Sequence, residues 1–267
     1  MHRSASEFMD YLLYSGKSRN TAYTYARIVD RMLNYVGKEP EDITRVDVMK
    51  FLRYLRDEKG HNDRYMAVIG WSLRSFFIML GRRELAMWIP IPTLSGVEEP
   101  KWLPEDEVMK IVRPFPVLTV AYDLALRVGE VPLLRRDRYN METGEIEVTR
   151  LKHKGRPNKY ILVLRPFARD ILNKYLRFMP RRSIYIFPMS TRNVQYIFKR
   201  ALVLAGYNPR DYTFHLLRHS RLTNIAIKEL REKGHVDLLR LSKFAGHLRP
   251  ETTLRYVHLA AEYLSFH

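Results

Sequence analysis

The chain contains no cysteine, which excludes disulfides, thiolate zinc sites and a cysteine nucleophile. Glutamine is nearly absent, with Gln195 standing alone, while Lys and Arg abound, a bias found in heat-adapted proteins and in many DNA binders. No apolar run of about 18 residues exists to cross a membrane, and the first residues lack a signal-peptide pattern. The expectation is a soluble, cytoplasmic protein with no membrane association. No internal repeat or low-complexity tract is evident.

What is present is positive charge. Lys and Arg number 46 against 29 Asp and Glu, a net charge of +17, and such a field attracts a polyanion, nucleic acid first. The excess is uneven: residues 1–95 carry +4 and residues 96–267 carry +13, so the second half is expected to hold the phosphate. Hydrophobic residues make up 46% of 267 positions, enough for two cores and more than one usually serves.

Apolar residues recur at helical spacing from Ala5 to Leu80, in groups around Phe8, Ile28, Phe51 and Phe76, with breaks at Ser15 to Lys17, Gly37 to Thr44 and Gly60 to Asp63. This predicts four amphipathic helices in a domain spanning 1–88. Residues 89–100 hold three prolines and read as an interdomain linker, after which Pro104 and three acidic residues mark a helix start opening a domain over 101–267. Ile146 and Val148 alternate with polar residues, and Tyr160 to Leu164 is rich in strand formers, predicting a β-hairpin with a cationic tip at 152–158. Arg135 to Tyr139 is a candidate third strand. Helical spacing resumes at Pro166, with Thr213 as an expected N-cap and Gly246 as an expected C-terminal cap. The fold class is therefore mainly α with a small β-sheet.

Exchanging a phosphodiester without metal or cofactor requires cations on the non-bridging oxygens, an aimed nucleophile and an acid for the departing hydroxyl. Arginine suits the first task, because its planar fork binds phosphate oxygens in pairs and stays charged. His215 and Arg218 lie three apart on one helical face, yet H-x-x-R also occurs at His61/Arg64 and His153/Arg156. Gly-His occurs at residues 60, 234 and 246, and only the third has a tyrosine nine residues beyond its histidine, Tyr256. Singly, each has a plainer reading: Arg127 as a salt bridge to Glu130, Gly246 as a helix cap, Lys154 as a charged tip, Tyr256 as a core tyrosine.

Taken in order, the set resembles the tyrosine recombinase family, the phage integrases and Xer-type enzymes. Leu216 to Thr223 resembles its "HxLRHxxAT" helix, Phe244 to His258 its "LGHxxxxTTxxYxH" stretch, and Leu126 to Glu130 its "GLRxxE" box, with Ala125 where glycine is usual. Lys154 to Ile161 resembles the family's catalytic hairpin, and Arg19 to Tyr25 and Ser72 to Phe77 resemble its core-binding domain. The resemblance implies a four-helix core-binding domain and an α+β catalytic domain that clamp duplex DNA. It implies Tyr256 as nucleophile, Arg127 and Arg218 on the phosphate oxygens, Lys154 as general acid, with Lys152 a rival. His215 would assist removal of the tyrosine proton, and His247 would donate a hydrogen bond to the phosphate. Arg192, Lys199, Arg19 and Arg74 are the expected DNA contacts.

The implied product is a 3′-phosphotyrosine, formed within a homo-tetramer on synapsed DNA in which the tail from Val257 to His267, bearing Leu259, Leu264 and Phe266, docks on a neighbour. The biological task would be Xer-like chromosome dimer resolution or mobile-element integration. Alternatives are type IB topoisomerase-like relaxation, a DNA-binding protein with a decayed site, and an RNA-binding protein, the last lacking any RNP or GXXG pattern.

Overall fold

The computed structural model describes residues 1–93, 99–150, 158–179, 183–247 and 249–266, and the chain divides into two compact units, Met1–Glu98 and Glu99–His267. The first unit is helical: α1 (Arg3–Tyr14), α2 (Arg19–Val36), α3 (Arg45–Arg53), α4 (Asp63–Met79) and α5 (Arg83–Trp88). Polar caps set the starts. Ser18 accepts from the Thr21 amide, Asn62 accepts from that of Tyr65, and Thr44 and Asp47 form a reciprocal capping box. The buried faces meet around Phe8, Met32, Phe51, Phe76 and Phe77, with Phe8 edge-on to Phe76 at 5.4 Å. Burying each such ring contributes about 1.5–3 kcal/mol.

Four helices were expected and α5 is a fifth: Gly81, at φ +76°, turns the chain so that Leu85 and Ala86 fold back under the core. The expected linker also begins later than its prolines suggest. Ile89 is fully buried, its carbonyl accepts two bonds from Arg74, and a Cβ on Gly70 would lie 2.9 Å from the Pro90 carbonyl oxygen. The start of that segment is therefore part of the first unit's surface packing.

In the second unit α6 (Glu105–Val112) and α7 (Pro116–Asp123) lead to a 3₁₀ turn, Val128–Leu133. Strands β1 (Glu145–Arg150) and β2 (Asn158–Val163) pair antiparallel, with Glu145 opposite Val163 and Arg150 opposite Asn158. Then follow α8 (Pro166–Phe178), α9 (Thr191–Leu204), α10 (His215–Lys233), α11 (Leu238–Ala245) and α12 (Glu251–Phe266). The inward face of β1 is Ile146, Val148 and Arg150. One core joins α6 to α9, β1 and the first turn of α10; a second joins α10, α11 and α12 through Leu222, Ala226, Leu241, Ala245, Tyr256 and Ala260.

Two expectations are corrected here. Arg135 to Tyr139 is not a third strand, because the Arg138 and Tyr139 amides turn back onto the carbonyls of Arg135 and Arg136, leaving single bridges to Tyr185 and Ile146. Thr213 does not cap α10 with its side chain; its carbonyl instead accepts from the Leu216 amide in the opening turn. Within this chain the tail is helical. Helix α12 runs on from Tyr256 and buries Leu259 and Ala260 on the same unit, and Tyr263 packs edge-on to Trp102 at 5.2 Å. Leu264 also packs there, whereas Phe266 is 78% exposed.

Candidate active site

The site lies where the two cores of the second unit meet, and it is built on the C-terminal ends of two helices. Beyond α7 the chain turns at Ala125, whose φ of +48° is a left-handed conformation that glycine adopts most easily. At the end of α11, Gly246 takes φ +63° as a left-handed cap. Both ends present carbonyls, and cations complement them. Arg218 reaches the carbonyl oxygens of Ala125 at 2.6 Å and Ala245 at 2.5 Å. Arg150 reaches the preceding residue at each end, Phe244 at 2.8 Å and Leu124 at 3.4 Å.

Glu130, fully buried on the 3₁₀ turn, ties this to Arg127. Its carboxylate accepts from the Arg127 amide at 2.9 Å, the Arg127 guanidinium at 3.0 Å and the Arg150 guanidinium at 2.6 Å. Burial pushes the Glu130 carboxyl up, but Arg150 and Arg127 outweigh it and hold the group below the usual carboxylate range. Burial, then the neighbouring Arg127 and Arg150, lower Arg218 to about 9, so it remains a cation at neutral pH. Arg218 is 2% exposed, while the Arg127 side chain is 19% exposed and faces outward. Arg127 and Arg150 thus share one carboxylate beside the Arg218 cation, a surplus of positive charge in a low-dielectric setting.

Tyr256 sits against this cluster, 2% exposed. Its hydroxyl and Nδ1 of His219 share a hydrogen bond of 2.9 Å, and the His247 ring stacks at 6.1 Å with an interplanar angle of 10°. His247 is steadied by a 2.9 Å hydrogen bond between Nδ1 and the hydroxyl of the buried Thr253. Burial, then His215 and Arg218, lower His219 to about 4; burial, then Arg218 and Arg127, lower His247 to about 3. Both imidazoles are neutral at pH 7. Burial raises the Tyr256 phenol, while Arg218, Arg255 and Arg127 pull it the other way.

Nucleophile, neutral imidazoles and surplus guanidiniums together suit attack on a phosphodiester. Among the described residues no group of three His, Asp or Glu is placed to hold a metal ion. Comparison with known proteins matches residues 108–263, more than half of the chain, to the phage integrase family. The chain belongs to the phage integrase family. Residues 5–86 match the phage integrase N-terminal SAM-like domain. The chain is 29% identical over 275 residues to a protein of Thermococcus kodakarensis named tyrosine recombinase XerA, covering 97% of this chain and 91% of that protein. Its fold resembles that of a lambda integrase(75-356) dimer bound to a COC' core site, with a TM-score of 0.72 and 19% identity over 96% of this chain and 95% of that one. It also resembles XerH bound to palindromic difH substrate in a post-cleavage complex, with a TM-score of 0.69 and 16% identity over 98% of this chain and 93% of that one.

Within this member of the phage integrase family, Arg127, Arg218, His247 and Tyr256 come together. His215 is exposed on the first turn of α10, its ring 5.9 Å from that of His219, and it is His219 that meets the tyrosine hydroxyl. Lys154 and its rival Lys152 lie outside the described residues. Lys199, expected at DNA, is half-buried and its amine donates to the carbonyls of Pro209 and, at 2.6 Å, Tyr212. Arg74 is likewise engaged with Ile89. Arg192 and Arg19 are exposed near the N-terminal ends of α9 and α2. Sequence reasoning missed Arg150 and His219. Continuing the alternation of Ile146 and Val148 by one step would have placed Arg150 inside, and the i, i+4 spacing from His215 would have put His219 on the same face.

Proposed function

We propose that this protein is a site-specific tyrosine recombinase that cleaves and rejoins double-stranded DNA through a phosphotyrosine on Tyr256. The observation that carries this is the convergence of Arg127, Arg150 and Arg218, with one carboxylate between them, beside a buried tyrosine. Two of the five N–H donors of Arg218 are engaged on carbonyls, leaving others for a phosphate oxygen. Arg127, the outward-facing member, takes the second oxygen. A phosphodiester entering there cancels part of the field that depresses His219, raising its basicity, and His219 then accepts the proton as the Tyr256 oxygen attacks phosphorus. The tyrosine–phosphate bond forms as the bond to the 5′-oxygen breaks. His247 donates a hydrogen bond to the phosphate, and Lys154 protonates the leaving oxygen. The phosphotyrosine conserves the bond for rejoining, so no nucleotide cofactor is needed.

The match to the XerA relative, which covers 97% of this chain, supports an Xer-type role over topoisomerase-like relaxation. The solved lambda integrase tetramer bound to a Holliday junction supports strand exchange within a homo-tetramer. The test is to incubate the protein with two duplexes of different length carrying one mapped site. Recombinant products and resolution of a synthetic four-way junction are expected. Relaxation of supercoils with neither product would favour the topoisomerase reading.

A further inference from the structure

On the inward face of β1, where Ile146 and Val148 enter the core, the third position is a guanidinium that is 1% exposed. Burying a cation where an apolar side chain would fit is costly unless it is paired and hydrogen-bonded, and here both terminal nitrogens are engaged while Nε is left without a partner. Arg150 bonds Glu130, Phe244 and Leu124, and those partners are specific. Leu124 and Phe244 immediately precede Ala125 and Ala245, the two residues whose carbonyls hold Arg218. The two arginines are laced side by side across the same pair of helix ends. Through Glu130, the same side chain meets the carboxylate that holds Arg127. Gly246 completes the fit: a Cβ there would lie 3.1–3.2 Å from Nε, Cδ and Cγ of Arg150, so the glycine preceding His247 lets the arginine stem pass.

We propose that Arg150 is a positioning residue of the cleavage reaction, setting the helix ends that aim Arg218 and the carboxylate that aims Arg127 without itself touching DNA. The proposal rests on the recombinase reading above. Lysine cannot replace it, since a single ammonium cannot span Glu130 and the carbonyls as a planar fork does. A misplacement on the order of 1 Å at a phosphate-binding group is enough to slow chemistry about 100-fold.

The test uses the full-length protein and a nicked duplex carrying the site that the wild-type protein cleaves, in three forms: an ordinary scissile phosphate, a methylphosphonate and a 5′-bridging phosphorothiolate. Arg150→Lys should melt cooperatively and bind DNA within about threefold of wild type, because phosphate contacts elsewhere are intact. Its single-turnover cleavage should fall about 100-fold on the ordinary phosphate. The methylphosphonate lacks one of the charges that the arginines neutralise, so on it the deficit should shrink to under about tenfold, as for Arg218→Ala. A Gly246→Ala variant, which crowds the Arg150 stem from the other side, should show the same pattern. Three results would overturn the proposal: wild-type cleavage by Arg150→Lys, an equal deficit on both phosphates, or restoration by bridging sulfur, which would place the defect at the leaving oxygen. If wild type itself forms no adduct, or Tyr256→Phe still does, the recombinase reading fails first; if only Arg150→Lys behaves as wild type, this inference alone fails.

Discussion

The hydroxyl of Tyr256 and Nδ1 of His219 lie 2.9 Å apart, one helix supplying the tyrosine and another the imidazole. That pairing is the reason we propose His219, rather than the exposed His215, as the proton acceptor. Replacing His219 by Asn preserves a polar partner and removes the basicity, and should slow cleavage by about 10²–10⁴-fold at pH 7. His215→Asn should cost less. Single-turnover rates for the two variants decide it, and a larger loss at His215 would return the role to that residue.

The same burial makes stability pH-dependent. His219 and His247 titrate in the folded protein at about 4 and about 3, below their ordinary 6.5, so the unfolded chain takes up protons first as pH falls. Their contribution is present above about pH 6.5 and is lost as pH falls toward those folded values. Between pH 5 and 6.5 the urea midpoint of the wild type should therefore decline, each histidine contributing at most about 1.4 kcal/mol per pH unit. His247→Asn should flatten the decline. Identical slopes for variant and wild type would contradict the burial of a neutral imidazole.

Glu130 is the counter-ion of two guanidiniums, and its loss leaves both uncompensated. Glu130→Gln should destabilise the protein by about 3–5 kcal/mol, the usual result of removing one partner of a buried ion pair. Sulfate, able to occupy the vacated field, should restore part of that loss in thermal melts. A loss below about 1 kcal/mol would mean that the cluster is not electrostatically coupled as described.

Arg192 and Lys199 share a helix, yet the structure separates them. Arg192→Ala should weaken DNA binding and leave the melting temperature nearly unchanged, since the residue is exposed. Lys199→Ala should do the reverse, because its amine ties down the segment through Pro209 and Tyr212. Titration of labelled duplex and a thermal melt separate the two, and a binding loss confined to Lys199→Ala would restore it to the interface.

Much of this was legible because periodicity and spacing act locally. The helical faces around Phe8, Ile28, Phe51 and Phe76, the hairpin strands and the Gly246 cap follow from residues near one another in sequence. The plainer readings of Arg127 and Gly246 proved geometrically true as well: Arg127 does pair with Glu130, and Gly246 does cap a helix, and both serve the site through those bonds. What was not legible depended on distant partners. The hydrogen bonds of Lys199 are one such case, because nothing local shows that the Pro209 to Tyr212 segment returns to meet its amine. Ala125, where the family usually has glycine, holds its left-handed turn in part because Arg218 bonds its carbonyl from 93 residues away. Arg150 was passed over because buried arginines are rare and its partners come from three separate segments.

The most direct test of the central claim is to trap the protein on a nicked duplex that loses the freed strand, digest the adduct and identify the linked residue by mass spectrometry. A phosphotyrosyl peptide containing Tyr256 is expected, formed in excess chelator as readily as in magnesium, and absent from Tyr256→Phe, which should still bind the duplex. A normal yield of adduct in that variant, or linkage through Tyr263, would contradict the assignment of Tyr256 as the nucleophile.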